Sequence, residues 1–299
     1  MSIRIEGEEG LPVKIVRHGT LGPYAVDAAS RLEQSVAEGV DSLEQSPEMI
    51  DMDFRTSLSL VRARLAIDPE ASGLPTWEAV TTALQLGSLY FRLGMPGAVG
   101  PVVERVARVE RTVPLPAEDQ RRQPNFRYWL NAFYLAVVCR DGPRADALCE
   151  VPVALMREAP FHFDEYLPNW VGALQAYCVG RSDLAEKLTA AIQLSHPSVL
   201  RVVDGETMNK ALYPPINLFY LFLRDKRDEF GPALIDALKL HKSFWSANED
   251  SVKNIAGFFS LPLLAMACLA RDAGFPIDVE SPYIPHFLLS GEWVGEFPT

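Results

Sequence analysis

The sequence predicts an all-α protein built of stacked antiparallel helical hairpins, solenoid-like in arrangement, with at most a short N-terminal strand. Three observations favour this fold. Apolar residues recur at helical spacing, as at Trp129, Phe133 and Val137, which share one helix face. Apolar segments are followed by charged breaks at a regular interval. Strand-like alternation of apolar and polar residues is scarce, and its best example is residues 11–17.

The charged breaks are marked by arginines, each at the end of a long apolar helix. They are Arg140, Arg181, Arg227 and Arg271, at spacings of 41, 46 and 44 residues. These intervals fall in the range of helical-hairpin repeats, which stack side by side. We therefore expect stacked pairs of helices that together present a curved face.

Local signals predict where several helices begin and end. Pro143 follows Gly142 and suits the first turn of a helix, where its missing N–H costs nothing. The segment Ser246-Ala247-Asn248-Glu249 matches a capping box with the serine as the cap. The Pro- and Gly-containing tracts 94–97 and 213–215 predict helix ends.

The composition limits the partners. The chain has 299 residues, with 28 Lys and Arg against 39 Asp and Glu, so its net charge is −11. Broad nucleic-acid binding needs clustered cations, so no nucleic-acid partner is expected. The acidic start, residues 1–9, is not a secretory signal. The longest apolar stretch, 258–270, is shorter than the roughly 20 residues of a membrane span. We expect a cytoplasmic protein with no membrane partner.

No catalytic, metal or cofactor site is expected. The sequence has no HExxH, GxSxG or P-loop motif, and its five histidines form no pair at helical spacing. His241 lies on an apolar stripe and is predicted to be a hydrogen-bonded core residue. The four cysteines lack CxxC spacing and are expected to be reduced core thiols. The acidic segments 51–53 and 248–250 are predicted to be helix starts.

Two clusters of aromatic and acidic residues are the candidate partner-binding sites. Aromatic anchors beside carboxylates suit a protein interface that meets Arg or Lys. The predicted partner-binding residues are Asp164, Glu165, Tyr166, Trp170, Trp245, Glu249 and Asp250. The sequence leaves open that the aromatic residues face the core instead. Phe163, Tyr166 and Trp170 fall at i, i+3 and i+7 of a helix, and Trp245 continues an apolar stripe.

Longer segments, in a fixed order along the chain, carry a family resemblance. They are Asp68–Ser72, Trp77–Ala79, Trp129–Asp141, Leu148–Pro152, Asp164–Tyr166, Leu174–Tyr177, Leu212–Ile216, Leu240–Trp245, Glu249–Asp250, Ala273–Ser281 and Gly295–Thr299. In these segments the sequence resembles the immunity protein 49 family of bacterial polymorphic toxin systems. The resemblance covers most of the chain from about residue 55. It implies one helical immunity-type domain over residues 1–299, with residues 1–50 less characteristic.

The resemblance also implies a function. A member of this family would sit in the producing cell, bind a cognate toxin domain and block its activity, with no catalytic residues or cofactor. Some toxins of such systems are nucleases with basic active faces, and the acidic net charge would suit their capture. The alternatives are a helical-repeat adaptor, which requires a groove lined by exposed aromatic residues, and an all-helical enzyme, which requires a deep pocket with converging carboxylates or a metal.

Overall fold

A computed structural model describes residues 12–22, 25–296 and 299, and the acidic residues 1–9 lie outside the described part. Helices dominate it, so the predicted all-α fold class is confirmed. The longer helices are α1 (Ala25–Ser42), α2 (Ile50–Ile67), α3 (Leu74–Gly94), α4 (Phe126–Val138), α5 (Gly142–Cys149), α7 (Tyr166–Cys178), α8 (Leu184–Leu194), α10 (Tyr213–Leu223), α11 (Arg227–Trp245) and α13 (Leu261–Asp272). The short helices are α6 (Val153–Arg157), α9 (Gly205–Thr207), α12 (Glu249–Lys253) and α14 (His286–Ser290).

The short N-terminal strand predicted within residues 11–17 is confirmed. Strand β1 (Val13–Lys14) pairs in parallel with β4 (Val279–Glu280). Just after β1, the guanidinium of Arg17 donates hydrogen bonds to four backbone carbonyls at 2.6–3.3 Å. These belong to Leu65, Ala66, Phe258 and Pro282. The N-terminal segment is thereby fixed to the end of α2 and to two loops near the C-terminus.

Helix α3 runs through the interior, between α2 on one side and α4 on the other. Of its 21 residues, 15 are buried, which explains why its sequence is apolar nearly all round. Helix α1 covers α2 from outside. Acidic residues 51–53 lie in the first turn of α2, as predicted. The Asp53 carboxyl packs on Gly39 of α1, and its Oδ2 is buried without a hydrogen-bond partner.

The predicted repeat is present, but its equivalent positions are helix caps rather than arginines. Helices α4, α7, α10 and α13 each end with a residue in the left-handed conformation, at φ between 51° and 78°. These residues are Arg140, Gly180, Asp225 and Gly274. The N–H of the next residue donates to the carbonyl five residues earlier at 2.8–3.0 Å. This is the Schellman motif, which satisfies the last carbonyls of a helix.

The stack of hairpins curves so that α13 packs against α4. Arg140, just after α4, bonds Asp272 at the end of α13. Arg227 donates to the carbonyls of Ala273 and Gly274, just after α13. The C-terminal ends of α4, α10 and α13 therefore meet at one end of the molecule, which we call the capped end. We call the opposite end, where these helices begin, the loop end.

A β-hairpin between α3 and α4 was not predicted from the sequence. Strand β2 (Val102–Val106) pairs antiparallel with β3 (Val109–Val113). Glu104 of β2 is buried, because Arg92 of α3 and Arg144 of α5 each bind its carboxylate at 2.5 Å. The turn residues between the strands, Ala107 and Arg108, have φ of 49° and 69°. Neither is Gly or Asn, so the usual sequence signal of a tight hairpin is missing.

Some predicted helix boundaries are correct and two are wrong. Helix α3 ends at Gly94, and Pro143 lies in the first turn of α5, as expected. Residues 213–215 begin α10 instead of ending a helix, because a π-helical turn, Met208–Leu212, joins α9 to α10. The cap of α12 is Asn248, whose side chain accepts the N–H of Ser251, and not the serine of the predicted capping box.

One apolar segment of the described chain, Ile255–Asp272, is long and apolar enough to cross a membrane, but 67% of it is buried inside the protein. It contains the core helix α13, eight of whose residues are buried. The cysteines are free thiols, and three of the four are buried. His241 is buried as predicted, with Nε2 2.9 Å from the carbonyl of Gly257. Burial lowers the pKa of His241 to about 4.

Candidate protein-binding surface

Asp164, a predicted partner contact, is an internal anchor. Its side chain is buried and accepts the backbone N–H groups of Arg201, Val202 and Val203 at 2.6–3.2 Å. The carboxylate therefore holds the loop before α9 against the start of α7. A carboxylate that already accepts three N–H groups has little capacity left for a partner. The prediction that Asp164 meets a partner is corrected accordingly.

Tyr166 and Trp170 are core residues of α7, which corrects their prediction as partner contacts. They are 4% and 2% exposed. The Trp170 indole N–H donates to the Tyr134 hydroxyl at 3.0 Å, and its ring packs edge-on against Phe219. The core alternative that the sequence left open is the correct one for these two residues, because the i, i+3, i+7 spacing turns them toward α4 and α10.

Glu165, which lies between these buried residues, faces the solvent. Its carboxylate accepts two hydrogen bonds from Arg157 at 2.7 and 3.0 Å, and this bond is the main reason why its pKa is lowered. The same guanidinium lies over the ring of Phe163 at 5.8 Å. The ion pair neutralises the one exposed carboxylate of the first predicted cluster. Glu165 stays a prediction as a partner contact.

The second predicted cluster is more exposed. Trp245 is half-buried and lies so close to Gly257 that a side chain on that glycine would collide with the indole. Glu249 and Asp250 are exposed in the first turn of α12. The carboxylate of Glu249 lies 3.6 Å from the Lys253 ammonium. This ion pair is exposed, so it contributes little to stability. These three residues stay predictions.

Both predicted clusters lie at the loop end. Glu165 immediately precedes α7. Helix α11 returns antiparallel to α10, and Lys210 before α10 bonds Ser243 near the end of α11 at 3.1 Å. Trp245 is therefore near the start of α10. In the described part of the chain no hydrogen bond, ion pair or ring contact joins the two clusters, so they lie at one end of the molecule without forming one site.

The most exposed aromatic side chain of the described residues belongs to neither set of predicted contacts. Phe161 is 63% exposed, in the loop before α7. It borders a pocket of about 180 Å³. The pocket is lined by Asn125, Phe126, Arg127, Tyr128, Phe161, His162, Phe163 and Leu167. The exposed phenyl ring and this pocket form a continuous apolar patch on the loop end.

The charged side chain that lines this pocket is cationic. Arg127 lines it and is exposed, and Arg55 of α2 is close enough to act on the Tyr128 hydroxyl. Asp51 of α2 also acts on this hydroxyl, but its carboxylate is already in an ion pair. Neither arginine forms an ion pair with any residue in the described part of the chain. We call the set of Arg55, Arg127, Tyr128, Phe161 and His162 the Phe161 surface. The sequence signal for it was weak: Phe161 follows a proline and precedes the i, i+3, i+7 series that turns inward.

Comparison with known families identifies the kind of protein. A family model described as immunity protein 49 matches residues 68–288, most of the chain. The chain belongs to the immunity protein 49 family. No curated protein and no solved structure matches it. The immunity protein 49 match includes the whole pocket, and Arg55 is the only member of the Phe161 surface that precedes it.

The requirements of the two alternative functions can be compared with the described residues. Their large exposed apolar side chains include two aromatics, Phe161 and Tyr220, on different elements. An adaptor requires a groove lined with exposed aromatic residues, and the described residues do not form one. The described residues also contain no group of three or more His, Cys, Asp or Glu that could hold a metal ion.

Proposed function

We propose that this immunity protein 49 family member binds and neutralises a cognate toxin domain of a polymorphic toxin system, as a stoichiometric, non-catalytic inhibitor. The observation that carries the proposal is the family match over residues 68–288. The helical stack, fixed by side-chain clamps at Arg17, Arg140 and Asp164, supports it, because a rigid surface loses little entropy on binding. The site of action is the cytoplasm of the producing cell.

The partner is a toxin domain, and a basic nuclease is one class that the net charge of −11 supports. Opposite net charges speed the encounter of two proteins at low salt. The inhibitor itself contributes neither a metal nor a nucleophile to the reaction. Toxin activity would be blocked by occupying a surface of the toxin.

Calorimetry tests the proposal directly. A catalytically inactive form of the toxin domain encoded beside the gene is titrated with the full chain. We expect one-to-one binding of nanomolar affinity, about −12 kcal/mol. Co-expression with the active toxin should restore growth. A toxin domain from an unrelated system is the control and should give no heat. Absence of binding and of protection with the neighbouring toxin would contradict the proposal and favour the adaptor.

A further inference from the structure

The Phe161 surface differs in charge from the molecule as a whole. The chain carries 11 more acidic than basic residues, yet the charged side chain lining the pocket beside Phe161, Arg127, is cationic. Of the exposed carboxylates on the loop that carries Phe161, Glu165 is bound by Arg157, and Glu158 is not among the residues that line the pocket. Asp164 is buried and bonded to backbone. Arg55 and Arg127 are left as exposed charges without an ion pair among the described residues. Among the residues of the Phe161 surface, the charge is therefore positive.

The surface is also rigid. Asp164 holds the loop from within by three backbone hydrogen bonds. Phe163, two residues after Phe161, packs edge-on against Phe126 at a centroid distance of 5.1 Å. The Asn125 side chain caps α4 by accepting the N–H of Tyr128 at 3.0 Å. A phenyl ring exposed on a fixed loop has the properties of an interface anchor, because its area is available without a cost of ordering.

We infer that the Phe161 surface is the contact site for the toxin domain, and that the toxin presents there an apolar side chain flanked by carboxylates. This inference rests on the proposed function. The pocket of about 180 Å³ beside Phe161 accepts the apolar side chain. Arg127 and Arg55 lie where they would pair with carboxylates of the toxin. Long-range attraction follows net charge, but contacts within about 10 Å follow the local, unpaired side chains.

The experiment measures binding of the inactive toxin domain by surface plasmon resonance, from about 20 mM to about 500 mM NaCl. The variants are Phe161→Ala and Arg127→Glu. The matched controls are at the capped end, where Tyr220 is the other exposed aromatic and Arg224 is an exposed arginine without an ion pair among the described residues. These controls are Tyr220→Ala and Arg224→Glu.

We expect Phe161→Ala to weaken affinity at least about 30-fold, mainly through faster dissociation. Arg127→Glu should slow association about tenfold at low salt, and the difference should shrink as salt is raised. The two control variants should bind within about twofold of the wild type. Circular dichroism should show unchanged helix content in all four variants, because each altered side chain is exposed.

Three results would overturn the inference. If the wild type binds and both loop-end variants bind equally well, the contact site is elsewhere, while the proposed function stands. If Arg127→Glu binds faster than the wild type, the contacted patch of the toxin is basic. If sedimentation shows a dimer of the chain alone that Phe161→Ala dissociates, a second copy covers the surface. Failure of the wild type to bind at all would instead overturn the proposed function, and this assignment with it.

Discussion

The capped end and the loop end of the helical stack use their arginines differently. At the capped end, Arg140 and Arg227 bind carboxylates and backbone carbonyls of the chain itself. At the loop end, Arg55 and Arg127 reach the solvent without an ion pair among the described residues. Each end also has an exception, because Arg224 at the capped end is exposed without an ion pair among the described residues and Arg157 at the loop end is paired with Glu165. What distinguishes the loop end is that an unpaired arginine, Arg127, lines an apolar pocket beside an exposed phenyl ring.

The largest expected effect is at the capped end. Arg140 bonds Asp272 through two nitrogens and donates to the carbonyls of Leu288, Leu289 and Val138. Arg140→Ala leaves these acceptors unpaired, so the free energy of unfolding should fall by about 3 kcal/mol. Urea denaturation measures the change.

The control for this prediction is Arg224→Ala, which removes an exposed arginine of the same end that has no ion pair among the described residues. Its effect on unfolding should stay within about 0.5 kcal/mol. Equal effects of the two variants would show that the bonds of Arg140 do not stabilise the capped end.

Asp164 is an internal clamp at the loop end, and the effect of its loss should rank second. Asp164→Ala frees three backbone N–H groups of the loop before α9, so the free energy of unfolding should fall by about 2 kcal/mol. Its neighbour gives a matched comparison, because Glu165→Ala removes only an exposed ion pair and should cost less than about 1 kcal/mol. If Glu165→Ala were the more damaging change in urea, the assignment of Asp164 as the anchor would be wrong.

The two ends should also differ in how their carboxylates make the stability of the protein depend on pH, and Asp53 is the test case. Burial, and secondarily the charge of Asp51, raises its pKa from 3.8 to about 6. Because the folded protein holds this proton more tightly than the unfolded chain, the contribution of Asp53 favours folding at low pH. That contribution is lost as the pH rises through about 6. The loop end thus contains a half-buried carboxylate that becomes unfavourable at neutral pH, whereas Asp272 at the capped end is paired.

Asp53→Asn should therefore be more stable than the wild type at pH 8, by about 1 kcal/mol once solvent screening is allowed for, and equal to it near pH 4. Urea midpoints at the two pH values test this. Asp51→Asn is the control: it removes the ion pair with Arg122 and only the smaller cause of the raised pKa of Asp53, so its gain at pH 8 should be smaller than that of Asp53→Asn. A wild-type advantage over Asp53→Asn at pH 8 would refute the assignment.

The smallest expected effects come from the helix caps themselves. Gly180 has φ of 68° and open space where a Cβ would lie, so Gly180→Ala should cost only the backbone strain, about 1 kcal/mol. Asp225 occupies the equivalent position at φ of 51°. Asp225→Gly relieves that strain and should raise the urea midpoint. The gain is slightly reduced because the variant also loses an exposed ion pair with Arg227. If the urea midpoints of both variants shifted in the same direction, Gly180 and Asp225 would not be equivalent helix caps.

Sequence reasoning predicted the fold well because its signals are local. Apolar residues at helical spacing and the strand within residues 11–17 depend on neighbours in sequence. The β-hairpin was missed because its turn, Ala107-Arg108, has no Gly or Asn, and because the inward face of β2 includes a charged residue, Glu104. That carboxylate is buried only because arginines of α3 and α5 meet it.

The candidate site was predicted less well, because burial depends on distant parts of the chain. The N–H groups that bury Asp164 belong to residues 37–39 positions further on. Tyr166 and Trp170 matched both a core stripe and an interface, and the helices packed around α7 decided between them. The sequence could not show that Trp245, Glu249 and Asp250 lie at the loop end, because their position depends on α11 running antiparallel to α10.

The hydrogen bonds of Arg17 to distant carbonyls also determine when the N-terminal segment can fold during synthesis. Its partner carbonyl at Pro282 lies 265 residues later in the chain. At about 5 to 20 residues per second, a ribosome takes about 13 to 53 seconds to cover that interval. The first described segment to be translated is therefore among the last to find its place, and β1 waits unpaired until β4 has emerged.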